Sequence, residues 1–187
     1  MKYISRLFGG LLAISCGLSL QNYSVANASS TFAQPPRLVG ATTPYTDTSI
    51  WGATYYFTIE VPATAKESLQ KVTFTQTEGV EEIEFNQKDT VAWEGTGNSK
   101  GEKLAVTTTT NDNQQQTLTV TFEQAIAPGK TVTIGLKPYK NPLSDGIYLF
   151  GVKAFPSGEQ ATGQFLGFGR FQFYAPASFN TPDSSGV

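Results

Sequence analysis

The stretch "ATYYFTIEV", residues 53–61, alternates with a period of two. Tyr55, Phe57, Ile59 and Val61 fall on one side, and Thr54, Tyr56, Thr58 and Glu60 on the other. Successive side chains of an extended strand point to opposite faces, so this pattern is a strand with one face in a core and one toward water. Pro62 stops it, having no N–H to give to a ladder. The rhythm recurs downstream. "LQKVTFTQ" (69–76) turns Val72 and Phe74 inward, "VEEIEF" (80–85) Ile83 and Phe85, and "KLAVTTTT" (103–110) Leu104 and Val106. "QTLTVTFEQ" (116–124) contributes Leu118, Val120 and Phe122, and "KTVTIGLKP" (130–138) Val132, Ile134 and Leu136. Turn-forming segments lie between them: "NDNQQQ" (111–116), "APG" (127–129) and "KNPLSDG" (140–146). The best helical candidate, "PATAKESLQK" (62–71), has room for one or two turns at most.

Short alternating strands with hardly any helical periodicity predict an all-β chain, an antiparallel Greek-key β-sandwich of immunoglobulin-like type. "SDGIYLFGV" (144–152) sharpens this. An acidic turn followed by a strand-opening tyrosine has the form of a tyrosine corner, so the Tyr148 hydroxyl is expected to bond back to upstream backbone. The expected organisation is a secretory signal peptide at 1–28, an extended Pro-rich lead-in at 29–52, a β-sandwich domain at 53–176 and a flexible tail at 177–187. Within the lead-in, Arg37–Ala41 is the candidate for a short edge strand.

Five stretches, "ATYYFTIEVPA", "LQKVTFTQTEGVEEIEF", "PGKTVTIGLKPYKNP", "GIYLFGVKAFPSGE" and "GQFLGFGRFQFY", carry a wider likeness. Across roughly residues 37–174 the chain resembles a family of secreted cyanobacterial proteins classed as a domain of unknown function. The resemblance implies export and a shared fold, and it brings no activity or catalytic residues to transfer.

The start of the chain points the same way. Lys2 and Arg6 precede the apolar run "LFGGLLAISCGLSL" (7–20), and Ala26 and Ala28 occupy the two small-residue positions before a cleavage point. The run is shorter than the roughly 20 residues that a membrane-spanning helix needs. Cleavage is expected after Ala28, leaving Ser29 as the new terminus, with the protein periplasmic or extracellular and no stable membrane span. Lipidation at Cys16 is the rival reading, disfavoured by Ala13 and by apolar residues continuing to Leu20. Loss of the segment removes the chain's one cysteine, so a hydrophobic core has to hold the domain without disulfides. It also leaves eleven basic against fifteen acidic residues, a net charge of −4. No basic tract is present to track a nucleic-acid backbone.

The whole chain contains no histidine. That excludes Ser-His-Asp and Cys-His nucleophiles, His-ligated zinc and the usual general base near neutral pH. No cofactor is expected, and the chain reads as a non-enzyme. Glu82 and Glu84, beside Glu78 and Glu81, are the one acidic cluster. A solvated strand face accounts for them, while calcium, or carboxylate-based carbohydrate chemistry, is the alternative. "EGTGNSKGEK" (94–103) lacks both the ending and the following helix of a phosphate loop and reads as a flexible loop.

The segment "GQFLGFGRFQFY" (163–174) is apolar on both faces. By strict parity, Phe165, Phe171 and Phe173 form the core set. Leu166, Phe168, Arg170, Gln172 and Tyr174 then face outward. Two readings stay open for that outer face: the lead-in covers it through Leu38, Val39, Tyr45 or Trp51, or it remains open as a contact strip. Leu166, Phe168, Arg170, Tyr174, Tyr56 and Trp51 are the resulting ligand-contact candidates. The expected function is an exported binding or envelope-interaction module, with a cell-envelope glycan or protein as partner. A structural envelope component that self-associates through a sheet edge is the alternative.

Overall fold

The computed structural model describes residues 29–111 and 117–176. The expectations for the signal segment and Cys16, for the interior of the 111–116 loop, and for the tail at 177–187 lie outside the described residues. Along the described chain run β1 (Arg37–Thr42), β2 (Tyr55–Glu60), β3 (Leu69–Glu78), β4 (Val91–Thr96) and β5 (Ser99–Leu104). They are followed by β6 (Val106–Asn111), β7 (Thr117–Ile126), β8 (Thr131–Leu136), β9 (Gly146–Pro156) and β10 (Gln164–Phe173). Two short 3-10 turns, Ala63–Ala65 and Gln87–Asp89, are the helical content of the described residues.

The strands form two antiparallel sheets in the orders β1-β2-β8-β4-β5 and β10-β9-β3-β7-β6. Sequence neighbours sit in opposite sheets at β2–β3, β3–β4, β5–β6, β7–β8 and β8–β9, which makes an immunoglobulin-like sandwich. The β2 alternation is obeyed throughout, with Tyr55, Phe57 and Ile59 fully buried. Facing them from the second sheet are Phe74 of β3, Phe150 of β9, and Phe171 and Phe173 of β10. Tyr55 stacks on Phe171 with ring centroids 4.6 Å apart, and Phe57 meets Phe74 at the same distance. Each such ring contributes roughly 1.5–3 kcal/mol by burial, which lets the sandwich dispense with cross-links. The tyrosine corner forms: the buried Tyr148 hydroxyl donates to the Ser144 carbonyl at 3.0 Å.

Four expectations need correcting. Residues 94–103 are no loop but most of the β4–β5 hairpin, in which Thr96 pairs with Ser99. The strand "SKGEKL" has no apolar alternation to betray it, because it is an edge strand with almost every side chain exposed. Its charges, Lys100, Glu102 and Lys103, are what keeps such an edge from pairing with another chain. Second, "KLAVTTTT" is two strands: the chain leaves the first sheet at Leu104 and enters the second at Val106. Third, "VEEIEF" runs as extended loop with one isolated bridge, Phe85 to Pro138, although Ile83 is buried as expected.

The fourth correction bears on the candidate strip. The register of β10 against β9 slips between Phe165 and Gly167, and Gly167 takes φ +127°. That bulge inverts the parity of everything before it. Phe165 therefore faces solvent, 51% exposed, and Leu166 turns inward to pack on the core. Beyond the bulge the expected parity returns, with Phe168 and Arg170 outward and Phe171 and Phe173 inward.

Candidate functional site

Three loops gather at one end of the sandwich: 43–54 between β1 and β2, 79–90 between β3 and β4, and 137–145 between β8 and β9. Tyr174, just past β10, joins them through main-chain bonds. Its N–H donates to the Thr46 carbonyl and its carbonyl accepts from Thr48, both at 2.9 Å. Beneath the loops lies Asn141, fully buried. Its Oδ1 accepts from the Tyr55 hydroxyl at 3.0 Å, and its Nδ2 donates to the carbonyls of Asp47 at 2.8 Å and Tyr45 at 3.1 Å. The Asn141 N–H donates to Ile50 at 2.8 Å. One amide side chain and its own backbone thus bind two loops to the core.

The third loop is stitched in as firmly. Gln76 of β3 donates through Nε2 to the Glu81 carbonyl at 2.7 Å and accepts from the Ile83 N–H at 2.9 Å. Glu81 Oε1 accepts from the Ser144 N–H at 2.8 Å, beside the corner tyrosine. Burial raises the Tyr148 hydroxyl pKa above its ordinary value, and the Glu81 carboxylate adds to the shift. Burial raises Tyr55 further, helped by Tyr148. Both hydroxyls therefore stay protonated donors at any physiological pH.

Because the polar groups of these loops are spent inward, their apolar side chains face out. Of ten large hydrophobic side chains exposed among the described residues, seven (Tyr45, Trp51, Val80, Tyr139, Leu143, Ile147 and Tyr174) sit at this end. Trp51 is 74% exposed. The opposite end, built by residues 61–68, 127–130 and 157–163, carries none of the ten. The apolar end is also acidic. Its loops hold Asp47, Glu81, Glu82, Glu84, Asp89 and Asp145 against Lys88, Lys137 and Lys140, and Asp89 is 3.3 Å from Lys137. A groove of about 250 Å³ opens here between Glu82, Glu84, Tyr139 and Lys140.

The sequence-derived candidates divide over three places. Trp51 and Tyr174 belong to the apolar end. Phe168 and Arg170 stand on the outer face of the second sheet, and the Phe168 ring meets that of Phe165 edge-on, 5.0 Å between centroids. Gly151 lies beneath the pair, with both rings in ordinary contact range of the place a Cβ would occupy. The lead-in does not cover this face: it pairs as β1 with β2, while Phe168 is 54% exposed. Leu166 has left the strip for the interior. Tyr56 is on the outer face of the first sheet, edge-on to Trp93 at 5.7 Å. Together with Pro44, Asn98 and Lys100 these rings line a shallow groove of about 400 Å³. Trp93 is itself buried there, its Nε1 donating to the Thr96 carbonyl at 3.1 Å and the Lys100 ammonium lying 4.6 Å above the ring.

Glu82 and Glu84 are both exposed, and among the described residues no group of three or more His, Cys, Asp or Glu converges as a metal set. Among the same residues no helix is long and apolar enough to cross a membrane. Val80, Tyr139, Leu143 and Asn141 were not picked out by periodicity, since they lie in turns. For the first three the signal is a different one: large apolar residues inside "TEGVEE" and "KPYKNPLSDG", segments that a solvated loop would fill with polar side chains; Asn141 carries no such signal.

A family model for proteins of unknown function, DUF2808, matches residues 29–173. The chain belongs to the DUF2808 family. None of the curated proteins matches it. Solved structures similar to this DUF2808 chain include the collagen-binding domain of a Staphylococcus aureus adhesin, with 11% identity and a TM-score of 0.39 over 79% of this chain and 99% of that one. A second is BslA, a bacterial hydrophobin, with 17% identity and a TM-score of 0.43 over 78% and 98%. A third is a cohesin module from a Clostridium perfringens family 33 glycoside hydrolase, with 9% identity and a TM-score of 0.36 over 74% and 97%.

Proposed function

We propose that this DUF2808 chain is an exported, non-catalytic binding module of the cell envelope, and that it meets a protein partner through its apolar end. The carrying observation is the segregation of exposed hydrophobic side chains: seven of ten at one end, five of them on loops anchored from below. Contiguous apolar surface on a soluble domain marks an interaction site, and loops at one end of a sandwich are where this architecture places contact residues. Export is supported by the charged start, apolar run and Ala26-x-Ala28 pattern, and the family match begins at the residue that follows. The non-catalytic reading is supported by a composition without histidine.

Co-sedimentation with envelope fragments tests this. The chain should sediment with them, and the paired substitution Trp51→Ser with Leu143→Ser should release it. A control at Val39, exposed on β1 away from that end, should not. Equal sedimentation of all three proteins overturns the reading. The Phe165–Phe168 pair, open above Gly151, favours a second reading in which a polysaccharide stacks on the outer face of the second sheet. Saturable binding on a glycan array, lost in Phe168→Ala, would identify that use.

A further inference from the structure

The structure carries a second surface whose chemistry is the complement of the apolar end. Registers across the second sheet align the outward residues in rows: Asn111–Thr117–Thr75–Gly151–Phe168 and Thr109–Thr119–Thr73–Lys153–Phe165. A third row runs Thr107–Thr121–Lys71–Phe155. Threonines fill one half of this face, and aromatic rings and cations fill the other. Lys71 lies 4.3 Å over the Phe155 ring, Lys153 is exposed, and the Arg170 guanidinium donates to Gln172 Oε1 at 3.0 Å. None of these three cations forms an ion pair with a carboxylate among the described residues. The acids of this face are Glu78, which lies across Leu149 from Arg170, and Glu123, exposed at the β7 side. The half of the face that holds Lys71, Lys153 and Arg170 is therefore cationic and aromatic, whereas the apolar end is anionic and aromatic.

We infer that the occupant of the apolar end is a second copy of this chain, which offers the outer face of β3, β9 and β10. The inference rests on the binding role assigned to that end. Charge complementarity selects this partner. Glu82, Glu84 and Asp145 are exposed among Tyr139, Leu143 and Trp51, and would meet Lys71, Lys153 and Arg170 beside Phe165 and Phe168. The same acids repel anionic lipid headgroups and anionic glycans. Strand edges offer no competing route. β5 is an edge of charged side chains, and β6 is bordered by the Gln87 turn, where the Thr108 hydroxyl donates to the Gln87 carbonyl at 2.8 Å. The flank of β10 runs beside β1, and just past its end Asp47 bridges Tyr174. Because the two surfaces differ, the contact is heterologous, and each added copy leaves one end and one face open. The product is an open chain of copies rather than a closed dimer.

Sedimentation velocity on the protein, purified in the form its own cells accumulate, reads this out. Average mass should rise with concentration without stopping at twice the monomer, and fall as salt screens the facing charges. Two variants separate the surfaces: Trp51→Ser with Leu143→Ser at the end, and Phe168→Ser with Lys153→Ser on the face. Each alone should associate about tenfold or more weakly, as for truncation of interface anchors. Mixed in equal amounts they should form pairs and grow no further, because each supplies the surface the other lacks. Pairing in the mixture also shows that both variants are folded. A wild-type chain that stays monomeric, a mixture that does not pair, or one that grows past pairs overturns the proposal. If the wild type stays monomeric yet binds envelope fragments through the apolar end, only the occupant is wrong. If it does neither, the binding role falls as well.

Discussion

Replacing Asn141 by alanine tests whether the apolar end is held from beneath. The substitution strands the Tyr55 hydroxyl, a buried donor with no water to turn to, and a group orphaned in this way costs about 1–3 kcal/mol. It also removes two bonds to the Tyr45 and Asp47 carbonyls, worth roughly 0.5–1.5 kcal/mol each, with some recovered because both residues are exposed and can bind water. A total near 3 kcal/mol is expected. For a domain of this size that lowers the melting temperature by roughly 6–12 °C. Urea unfolding followed by tyrosine and tryptophan fluorescence should show a reduced midpoint with an unchanged slope. A double-mutant cycle identifies the cause. Tyr55→Phe deletes the hydroxyl that Asn141→Ala leaves unpaired, so the double variant should lose about 1 kcal/mol less than the two singles added. Additive losses, or an Asn141→Ala cost below about 1 kcal/mol, would refute the anchoring argument.

Three further outcomes follow from the packing and the titrations. The hydroxyls of Tyr55 and Tyr148 titrate higher in the folded chain than the unfolded value of about 10. The native state thus keeps protons that the unfolded state gives up: this stability is intact below about pH 10 and is lost as pH rises beyond it. Urea midpoints should fall in that alkaline range, Tyr148→Phe should flatten the fall, and at neutral pH the same variant should cost about 1 kcal/mol through the bond to Ser144. Gly169→Ala would push a Cβ into the Phe57 ring and to 3.0 Å from the Ala41 Cβ, so a loss of about 1–3 kcal/mol is expected by thermal melting. N-terminal sequencing of exported protein should start at Ser29, and a start at Met1 would contradict the signal reading.

Period-two alternation made the sandwich readable wherever burial has two sides. β2, β3, β7 and β8 each carry a one-faced stripe, and each forms where the stripe lies. The tyrosine corner was equally legible, because a turn must precede the strand for the hydroxyl to reach back. The pattern was silent at β5, whose pairing is main-chain bonding with no side chain in the core. It misled at Phe165, where the one-residue slip at Gly167 reverses inside and outside. Strict parity cannot register a bulge, although "GFG" placed between large rings is the composition in which one forms. At the apolar end, Trp51 and Tyr174 stand out in the sequence as conspicuous rings beside strands. Val80, Tyr139 and Leu143 do not, since proximity there comes from folding three separate loops onto one amide.

The arrangement of polar groups explains why those loops can expose so much apolar surface and hold it still. A solvated loop ordinarily satisfies its backbone with water and packs little. Here the carbonyls of Tyr45, Asp47, Ile50 and Glu81 and the N–H groups of Ile83, Asn141 and Ser144 are bonded inward or to each other. These groups are therefore satisfied by the protein itself. The outward rings of the loops are set on a fixed base, so less conformational entropy has to be lost when a partner arrives. The end that lacks exposed rings also lacks a buried amide, since the described buried polar residues are Thr48, Thr133 and Asn141. Buried hydrogen bonding and outward apolar surface occur at the same end because the first makes the second tolerable. A variant that loosened Asn141 while leaving every exposed ring in place should accordingly weaken binding as well as stability.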